Sequence, residues 1–564
     1  MYCPECGYKI EEEDARFCPE CGKCVQEEME RIVIKTNHSK SLYGIILTNV
    51  FLLTQKLNVS EDDVRSSLEH FIQGKEMFGI HYQLVDVSNY TYYKKNILGF
   101  SKKLCLKEQA SLWTCMDVLM DMHNEEVSEG KALSRYLFII GGDDIIPMPC
   151  VRHFADNCPD ETIDTDILYA YPYGEKTLAM LEKGSLFEYS PIFMVGRLPI
   201  EKDTSIEDWC GYLERVLNSS GGIPVKGAYA QCDPNWKNVS ATVADTLIEN
   251  DWLRNLDGHL AGDYYFRRLI LSPRIDAGSV EQVFRPDASL YYYNLHGSDA
   301  LEERAYFGRT TSKLMDFPVL YPEHMGTCVS SNIVVCEACY GARFIGLDKC
   351  HSMLLASLYS KTLLYIGASR IAWGAEDPHF MTGYEVLMPQ CADVIAHTFM
   401  DRIMHGYSSG EAMLLARMNL MEMDYTPYSL ASIVEFNLFG DPTLSMEVPL
   451  NEPFDLSACK KKQVGYVMQK VEMIDEKFAH SPLEQVRRAV DNNIRQIHLE
   501  ISQYLYRYYG IEPRPFYNVC RLEYADGRKE LNFTYQVPSE RIRPMEYIVR
   551  TTEEGKVKNV IVTK

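Results

Sequence analysis

The chain has 564 residues, a formal net charge of −22 and a pI near 5.2, with 46% hydrophobic and 24% charged residues. That length accommodates three or four domains of about 150 residues each. The acidic balance argues against non-specific binding to nucleic acid or to an anionic membrane, and no apolar run reaches the length of a membrane span. Most of the 18 cysteines are scattered, a usage that suits a reducing compartment better than a disulfide scaffold. Met1 leads straight into CPECG with no signal-peptide pattern, so a cytoplasmic location is expected.

Residues 1–25 contain two CPxCG knuckles that set Cys3, Cys6, Cys18 and Cys21 as two C-x2-C pairs. Four thiolates in that spacing make a closed tetrahedral Zn2+ site, and so small a segment depends on the metal for its folding energy. This zinc ribbon reads either as a docking module or as a structural cap; two Lys and one Arg weaken a nucleic-acid role. Residues 26–40 are polar and read as a linker.

From 41 to 220 the pattern predicts strands at Leu42 to Thr48, His81 to Val87, Tyr136 to Ile140 and Tyr169 to Tyr173. Helices are predicted at Glu61 to Phe78, with Ser60 as N-cap, and at Glu108 to Glu126. Strands alternating with helices predict a parallel sheet covered by helices. Gly141-Gly142-Asp143-Asp144 reads as a tight strand-end turn. This first unit shows no nucleophile.

A second α/β unit, 221–450, opens after Ser219-Ser220-Gly221-Gly222. Its strands are predicted at Gly227 to Gln231, Leu269 to Leu271, Ser289 to Leu295, Ile333 to Ala338 and Thr362 to Ile366. Its helices are predicted at Asn238 to Asn250, Leu354 to Tyr359, Cys391 to Met404 and Ser409 to Met423, with a loop and helix carrying Gly308 and Met315. Two of these strands stop at reactive side chains: SLYYYNL runs into His296-Gly297, and IVVCEA runs into Cys339. In parallel sheets functional groups sit just past the carboxyl ends of strands, so a thiol and an imidazole are expected on one edge. The imidazole would take the thiol proton and later protonate the leaving amine, while the N–H groups of Gly297 and Cys339 would hold an oxyanion. Cys336 and Cys339 also form a C-x2-C pair, with Cys328 and Cys350 near. Strand residues three apart face opposite ways, which makes Cys336 packing and Cys339 the nucleophile.

The His-Gly and Glu-Ala-Cys strands resemble those of the caspase-like cysteine peptidases, and within them the gingipain type. IFMVGRLPIEKDTSIEDW, LLYIGASRIAWG and FNLFGDPTLSM, in that family's order, extend the resemblance over roughly 41–450. It implies a three-layer α/β/α fold of two parallel-sheet subdomains and cysteine endopeptidase activity on protein substrates, with no catalytic cofactor. Known gingipains prefer basic P1 residues. Asp233, Ser369, Arg370 and Trp373 are the candidate pocket residues here, with Asp299, Glu302 and Glu303 as further acids. Arg370 would favour an acidic P1 residue if it pointed inward, so P1 stays open. Glu337 could orient the imidazole.

Residues 451–564 lie outside the resemblance. Lys460 to Tyr509 reads as an amphipathic helical hairpin broken at Ser481-Pro482, and Phe516 to Lys564 as strands with a turn at Ala525-Asp526-Gly527. Two functions compete: a latent cytoplasmic peptidase switched by a regulatory partner, ligand or cleavage, and an inactive peptidase-fold scaffold. The intact His-Gly and Ala-Cys pair favours the first.

Overall fold

A computed structural model describes residues 41–448 and 470–564 with interruptions, the longest at 250–268, 272–285 and 474–491. The four ribbon cysteines lie outside the described residues.

Ten strands form one sheet. In spatial order they are Leu269–Leu271, Ala228–Cys232, Pro286–Asn294, Ser330–Cys336, Leu364–Ala368, Phe436–Phe439, Met194–Leu198, Tyr136–Ile140, Leu42–Thr48 and Ile80–Asp86. The first five run parallel to one another, as do the last five. The two sets meet antiparallel where Leu364–Ala368 pairs with Phe436–Phe439. The two expected parallel-sheet units are thus halves of one sheet, and Phe436–Phe439, late in the chain, belongs spatially with the first half. Runs such as Ile45–Leu47, Leu137–Ile140 and Ile333–Cys336 are fully buried, as expected of parallel strands covered on both faces.

Helices cover the sheet in packed groups, Glu61–Glu76 against Ile206–Asn218 and Ala392–Met404 against Ser409–Met423. Three of them open with complete capping boxes, Ser60 with Asp63, Ser205 with Asp208 and Ser408 with Glu411, each cap contributing about 1 kcal/mol. A helix at Val50–Leu57 and another at Pro427–Glu435 add to the expected set.

Two buried charges tie the first half together. The Arg197 guanidinium donates to both carboxylate oxygens of Asp166 at 2.7 Å and to the carbonyls of Gly141 and Ile146 at 2.9 Å. The Gly-Gly-Asp-Asp turn is therefore a structural receptor for this arginine. Asp441, in the Phe-Gly-Asp-Pro segment, sits 2.9 Å from the fully buried Lys75 ammonium and accepts from the Tyr82 hydroxyl at 2.6 Å.

Three stretches differ from expectation. Tyr169 to Tyr173 is not a strand; Ile167–Ala170 is a helical turn, because the Thr165 hydroxyl accepts the Ile167 N–H and turns the backbone there. Gly308 lies in an antiparallel hairpin, Tyr306–Arg309 with Asp316–Leu320, not in a helix. The buried Phe307 exchanges both backbone hydrogen bonds with His296 at 2.8 Å, which commits the segment to extended pairing. Met315 is outside the described residues. Lys470–Met473 is a strand within the expected helical hairpin, recruited by pairing with Asn518–Glu523, while Asn492–Tyr509 is a helix. The break at Ser481-Pro482 lies outside the described residues.

The C-terminal strands form a six-stranded antiparallel sheet in the order Trp373–Ala375, Val557–Thr563, Met545–Thr552, Lys529–Val537, Asn518–Glu523 and Lys470–Met473. The expected turn is present around Gly527, whose N–H donates to the Tyr524 carbonyl. One strand of this sheet, Trp373–Ala375, belongs to the second α/β unit.

Asp441→Ala would strand the Lys75 ammonium in the core and is expected to lower stability by about 3–5 kcal/mol, read as a lower urea midpoint. The double change Lys75→Met, Asp441→Leu should recover part of that loss.

Candidate active site

The strands Ala228–Cys232, Pro286–Asn294, Ser330–Cys336 and Leu364–Ala368 are parallel, so Asp233, His296, Cys339 and Ser369-Arg370 all follow carboxyl ends at one edge of the sheet. The loop that carries His296 touches the loop that carries Cys339. A Cβ placed on Gly297 would lie 1.8 Å from the Cys339 carbonyl oxygen. Only glycine permits that approach. Cys339 and His296 line the same cavity, together with Gly297, Tyr340, Thr563 and Lys564.

The turn after the thiol is strained. Tyr340 has φ of +55°, held by its N–H to the Arg370 carbonyl at 2.8 Å and by its hydroxyl to both oxygens of Asp160 at 2.9 Å. Such a conformation costs on the order of 1–3 kcal/mol in a residue other than glycine and persists only where its surroundings enforce it. The Cys339 Sγ accepts the Ala372 N–H at 3.3 Å. Burial pushes this thiol well up, with Glu435 and Asp160 adding to the shift.

The His296 imidazole lies against Trp236, ring centroids 4.2 Å apart, and its Nε2 is 3.6 Å from Asp233 Oδ2. Asp233 is fully buried, accepts from the Asn235 and Arg309 N–H groups, and is pushed up to about 7 by burial.

Lys564 meets the thiol's backbone. Its carbonyl accepts the Cys339 N–H at 3.3 Å, and its own N–H donates to the Ala372 carbonyl at 3.0 Å. Its fully buried ammonium is 3.2 Å from Asp393 Oδ1, 3.8 Å from Glu337 Oε2 and 3.2 Å from the Ala375 carbonyl, and it stands over the Trp236 ring at 4.2 Å. Burial opposes the charge, but Asp393 and then Glu337 outweigh it and hold the ammonium above its ordinary range. Glu337 itself is raised, by burial and by Asp393, and accepts from the Tyr292 hydroxyl at 2.7 Å. Glu376 completes the acidic surroundings; it accepts the Trp236 indole N–H at 2.6 Å.

The sequence candidates are distributed as follows. His296, Gly297 and Cys339 come together. Asp233 lies against His296, outside the contacts of the Lys564 ammonium. Ser369 is turned away, its hydroxyl donating to the Asp164 carbonyl at 2.7 Å, and Arg370 pairs with the Asp164 carboxylate at 2.7 Å. The Trp373 ring packs on Tyr428, while its backbone pairs with Thr563. Glu337 faces the ammonium pocket. The Asp299 carbonyl receives Arg343 at 2.7 Å; Glu302 and Glu303 are outside the described residues. Cys336 is buried, and burial pushes its thiol up to about 11. Sequence reading missed Asp393, Glu376 and Trp236. Asp393 opens a helix, where an acid is ordinary, so no local signal marks it.

The class of protein that this fold and site define is the cysteine-type endopeptidase. The sequence model of peptidase family C25 matches residues 45–447, and the chain belongs to that family. A zinc-ribbon domain model matches residues 2–23. Among solved structures the chain is similar to the complex of the pro- and mature domains of Porphyromonas gingivalis RgpB, at 13% identity over 72% of this chain and 79% of that one, with a TM-score of 0.44. It is also similar to the Arg-specific cysteine proteinase gingipain R, at 12% identity over 72% and 78%, TM-score 0.44. The Saccharomyces cerevisiae separase–securin complex matches at 9% identity over 68% of this chain and 22% of that chain, TM-score 0.29. No curated protein sequence matches the chain. No helix among the described residues is long and apolar enough to cross a membrane.

Gly297→Ala forces one of the two touching loops to move. A displacement of about 1 Å at a reacting group can lower a rate about a hundredfold; a loss of that order in peptide hydrolysis, with circular dichroism unchanged, is the expected result.

Proposed function

We propose that the chain is a protein endopeptidase that uses a Cys339–His296 dyad and cleaves after basic residues, with lysine as the reference P1 side chain. The observation that carries this reading is the placement of Lys564: its carbonyl is on the Cys339 N–H, and its ammonium is in a pocket of buried carboxylates. A scissile carbonyl held there would place its oxygen on the Cys339 N–H, with the Gly297 N–H as the second donor.

The chemistry then follows. The imidazole of His296 removes the Cys339 thiol proton. Sγ attacks the carbonyl carbon, and the oxygen's negative charge is held by the two amides. Collapse breaks the C–N bond, and the imidazolium gives its proton to the departing amine. Water, deprotonated by the same imidazole, attacks the thioester and releases the new carboxylate along with the thiol. Asp233 holds the ring's orientation, and Trp236 supports it from one face. Asp393, Glu337 and Glu376 supply the negative charge that selects the P1 side chain. A buried ammonium there needs carboxylate partners, which an acidic or aliphatic P1 side chain cannot use.

The four ribbon cysteines, Cys3, Cys6, Cys18 and Cys21, are the donor set of a structural Zn2+ site, two knuckles supplying four thiolates. The ten described cysteines are free thiols, which supports a reducing, cytoplasmic setting. Domains at 1–25, 41–220, 221–450 and 451–564 fit this division of labour: ribbon, supporting half-sheet, catalytic half-sheet, and a C-terminal module available to restrain the site or meet a regulatory partner.

Acyloxymethyl-ketone probes with Lys, Arg, Asp or Leu at P1, read by intact mass, test the mechanism and the specificity together. Wild type is expected to form one adduct with Lys and Arg probes, and none with Cys339→Ala; an adduct from the Asp probe alone would overturn the basic preference. Cys339→Ala and His296→Ala should each abolish peptide cleavage without unfolding the chain. In a chain ending at Thr563, Asp393→Asn should lower kcat/KM for a Lys substrate about a hundredfold while leaving iodoacetamide alkylation of Cys339 unchanged. For the ribbon, metal analysis of the purified chain should give one zinc per molecule, lost in Cys18→Ser with Cys21→Ser.

A further inference from the structure

The segment that fills the specificity pocket belongs to the chain itself. The strand Val557–Thr563 runs antiparallel to Trp373–Ala375, with Thr563 opposite Trp373, Val562 opposite Gly374 and Ile561 opposite Ala375. Lys564 follows directly, its N–H on the Ala372 carbonyl and its carbonyl on the Cys339 N–H. A peptide bound for cleavage needs the same three things: edge-strand pairing, a P1 side chain in its pocket, and a P1 carbonyl on the oxyanion donors. All three places are taken.

The occupancy is built in, not marginal. Lys564 is only 2% exposed and its ammonium is fully enclosed by Asp393, Glu337, the Ala375 carbonyl and Trp236. Pocket glycine Gly374 lies against it, since a Cβ there would meet the Lys564 side chain at 2.1 Å. The strand is also held from its other side. Val562 pairs with Tyr547 and Ile561 with Ile548, and the Thr563 hydroxyl accepts the Glu546 N–H at 3.1 Å. The Tyr547 hydroxyl in turn donates to Glu376 at 3.0 Å. The C-terminal sheet therefore presents the segment as a finished edge, and Trp373–Ala375 closes on it as a sixth strand.

We propose that Ile561–Lys564 is an intramolecular pseudosubstrate, with Lys564 at P1 and Thr563, Val562 and Ile561 at P2 to P4, and that the enzyme stays latent until the C-terminal sheet is displaced from Trp373–Ala375. This rests on the reading of the Lys564 pocket as the P1 pocket. A tethered occupant acts at an effective concentration in the millimolar range, so a micromolar substrate competes poorly with it. The burial of the Cys339 thiol is consistent with a closed site. Displacement opens the pocket, the edge strand and the oxyanion donors in one event.

The test compares the full chain with Lys564→Glu and with a chain ending at Thr563. Lys564→Glu sets a carboxylate against Asp393 and Glu337 and so expels the segment. Initial rates are measured on a fluorogenic peptide with Lys at P1, alongside the rate of Cys339 labelling by the Lys acyloxymethyl ketone and the melting temperature. Both variants are expected to cleave and label at least about tenfold faster than wild type, and a synthetic peptide of residues 557–564 should inhibit the shortened chain competitively. Equal rates in all three folded proteins would overturn the pseudosubstrate while leaving the peptidase reading intact. Absence of labelling and cleavage in all three, with any P1 residue, would overturn both. Hydrogen exchange on wild type needs no variant to fold. Covalent occupancy of Cys339 by the Lys ketone should speed exchange at Ile561–Lys564, and unchanged protection in the labelled protein would overturn the proposal.

Discussion

The contact between the backbones of Gly297 and Cys339 is the constraint on which the site depends. Each residue follows a strand of the same half-sheet, and strand pairing fixes where each loop begins. The two loops can meet only because the first of them carries no side chain at the point of contact. The imidazole is then held from behind by Asp233 and Trp236, both delivered by the neighbouring strand and its following turn. The strained Tyr340 turn fixes the thiol from the other side through Asp160. A nucleophile and a base held in this manner lie on rigid elements, which is the usual way to keep catalytic geometry within a fraction of an ångström.

Burial of charge explains much of what surrounds that contact. Placing an ammonium in the interior costs several kcal/mol unless carboxylates and carbonyls offset it. Among the described residues, examples are Lys75 on Asp441, Arg197 on Asp166, and Lys564 on Asp393 and Glu337. The first two lie in the half-sheet that holds no nucleophile. The third joins the C-terminal sheet to the catalytic half. Its acids Asp393 and Glu337 remain in the pocket whenever the lysine leaves, and carboxylates buried without a partner favour the arrival of another basic side chain. The proposed P1 selection thus draws on the same charges that hold Lys564.

The C-terminal module changes what the catalytic unit can do. Trp373–Ala375 is an edge strand, and edges attract pairing partners. In this molecule the partner is a strand already fixed in an antiparallel sheet, so its docking orders no free chain. An edge covered in this way is shielded from stray peptides and from aggregation at the same time. In the pseudosubstrate proposal, latency follows the seating of a whole sheet, an event large enough to be governed by a binding partner.

Much of this was written locally in the chain. Alternating apolar runs and turn residues marked most strands of the large sheet, and the runs that stop at His296 and Cys339 placed the imidazole and the thiol past neighbouring strand ends. The capping residue Ser60 marked a helix start for the same local reason. Tertiary structure decided the rest. Gly308 went into a hairpin because Phe307 found a partner in His296, and Lys470–Met473 became a strand because Asn518–Glu523 was there to pair with it. The pocket acids come from a strand end, a helix start and a loop beyond an edge strand, and their shared role exists only once those are packed together. Arg370 and Asp233, plausible pocket residues by position, were assigned elsewhere by the carboxylate and the imidazole beside them. Sequence by itself determined which residues can react and which segments extend or coil, since these follow from side-chain chemistry and short-range periodicity. Which charges face one another, and which strand fills the cleft, depend on contacts between residues hundreds of positions apart, and only the folded chain brings those into being.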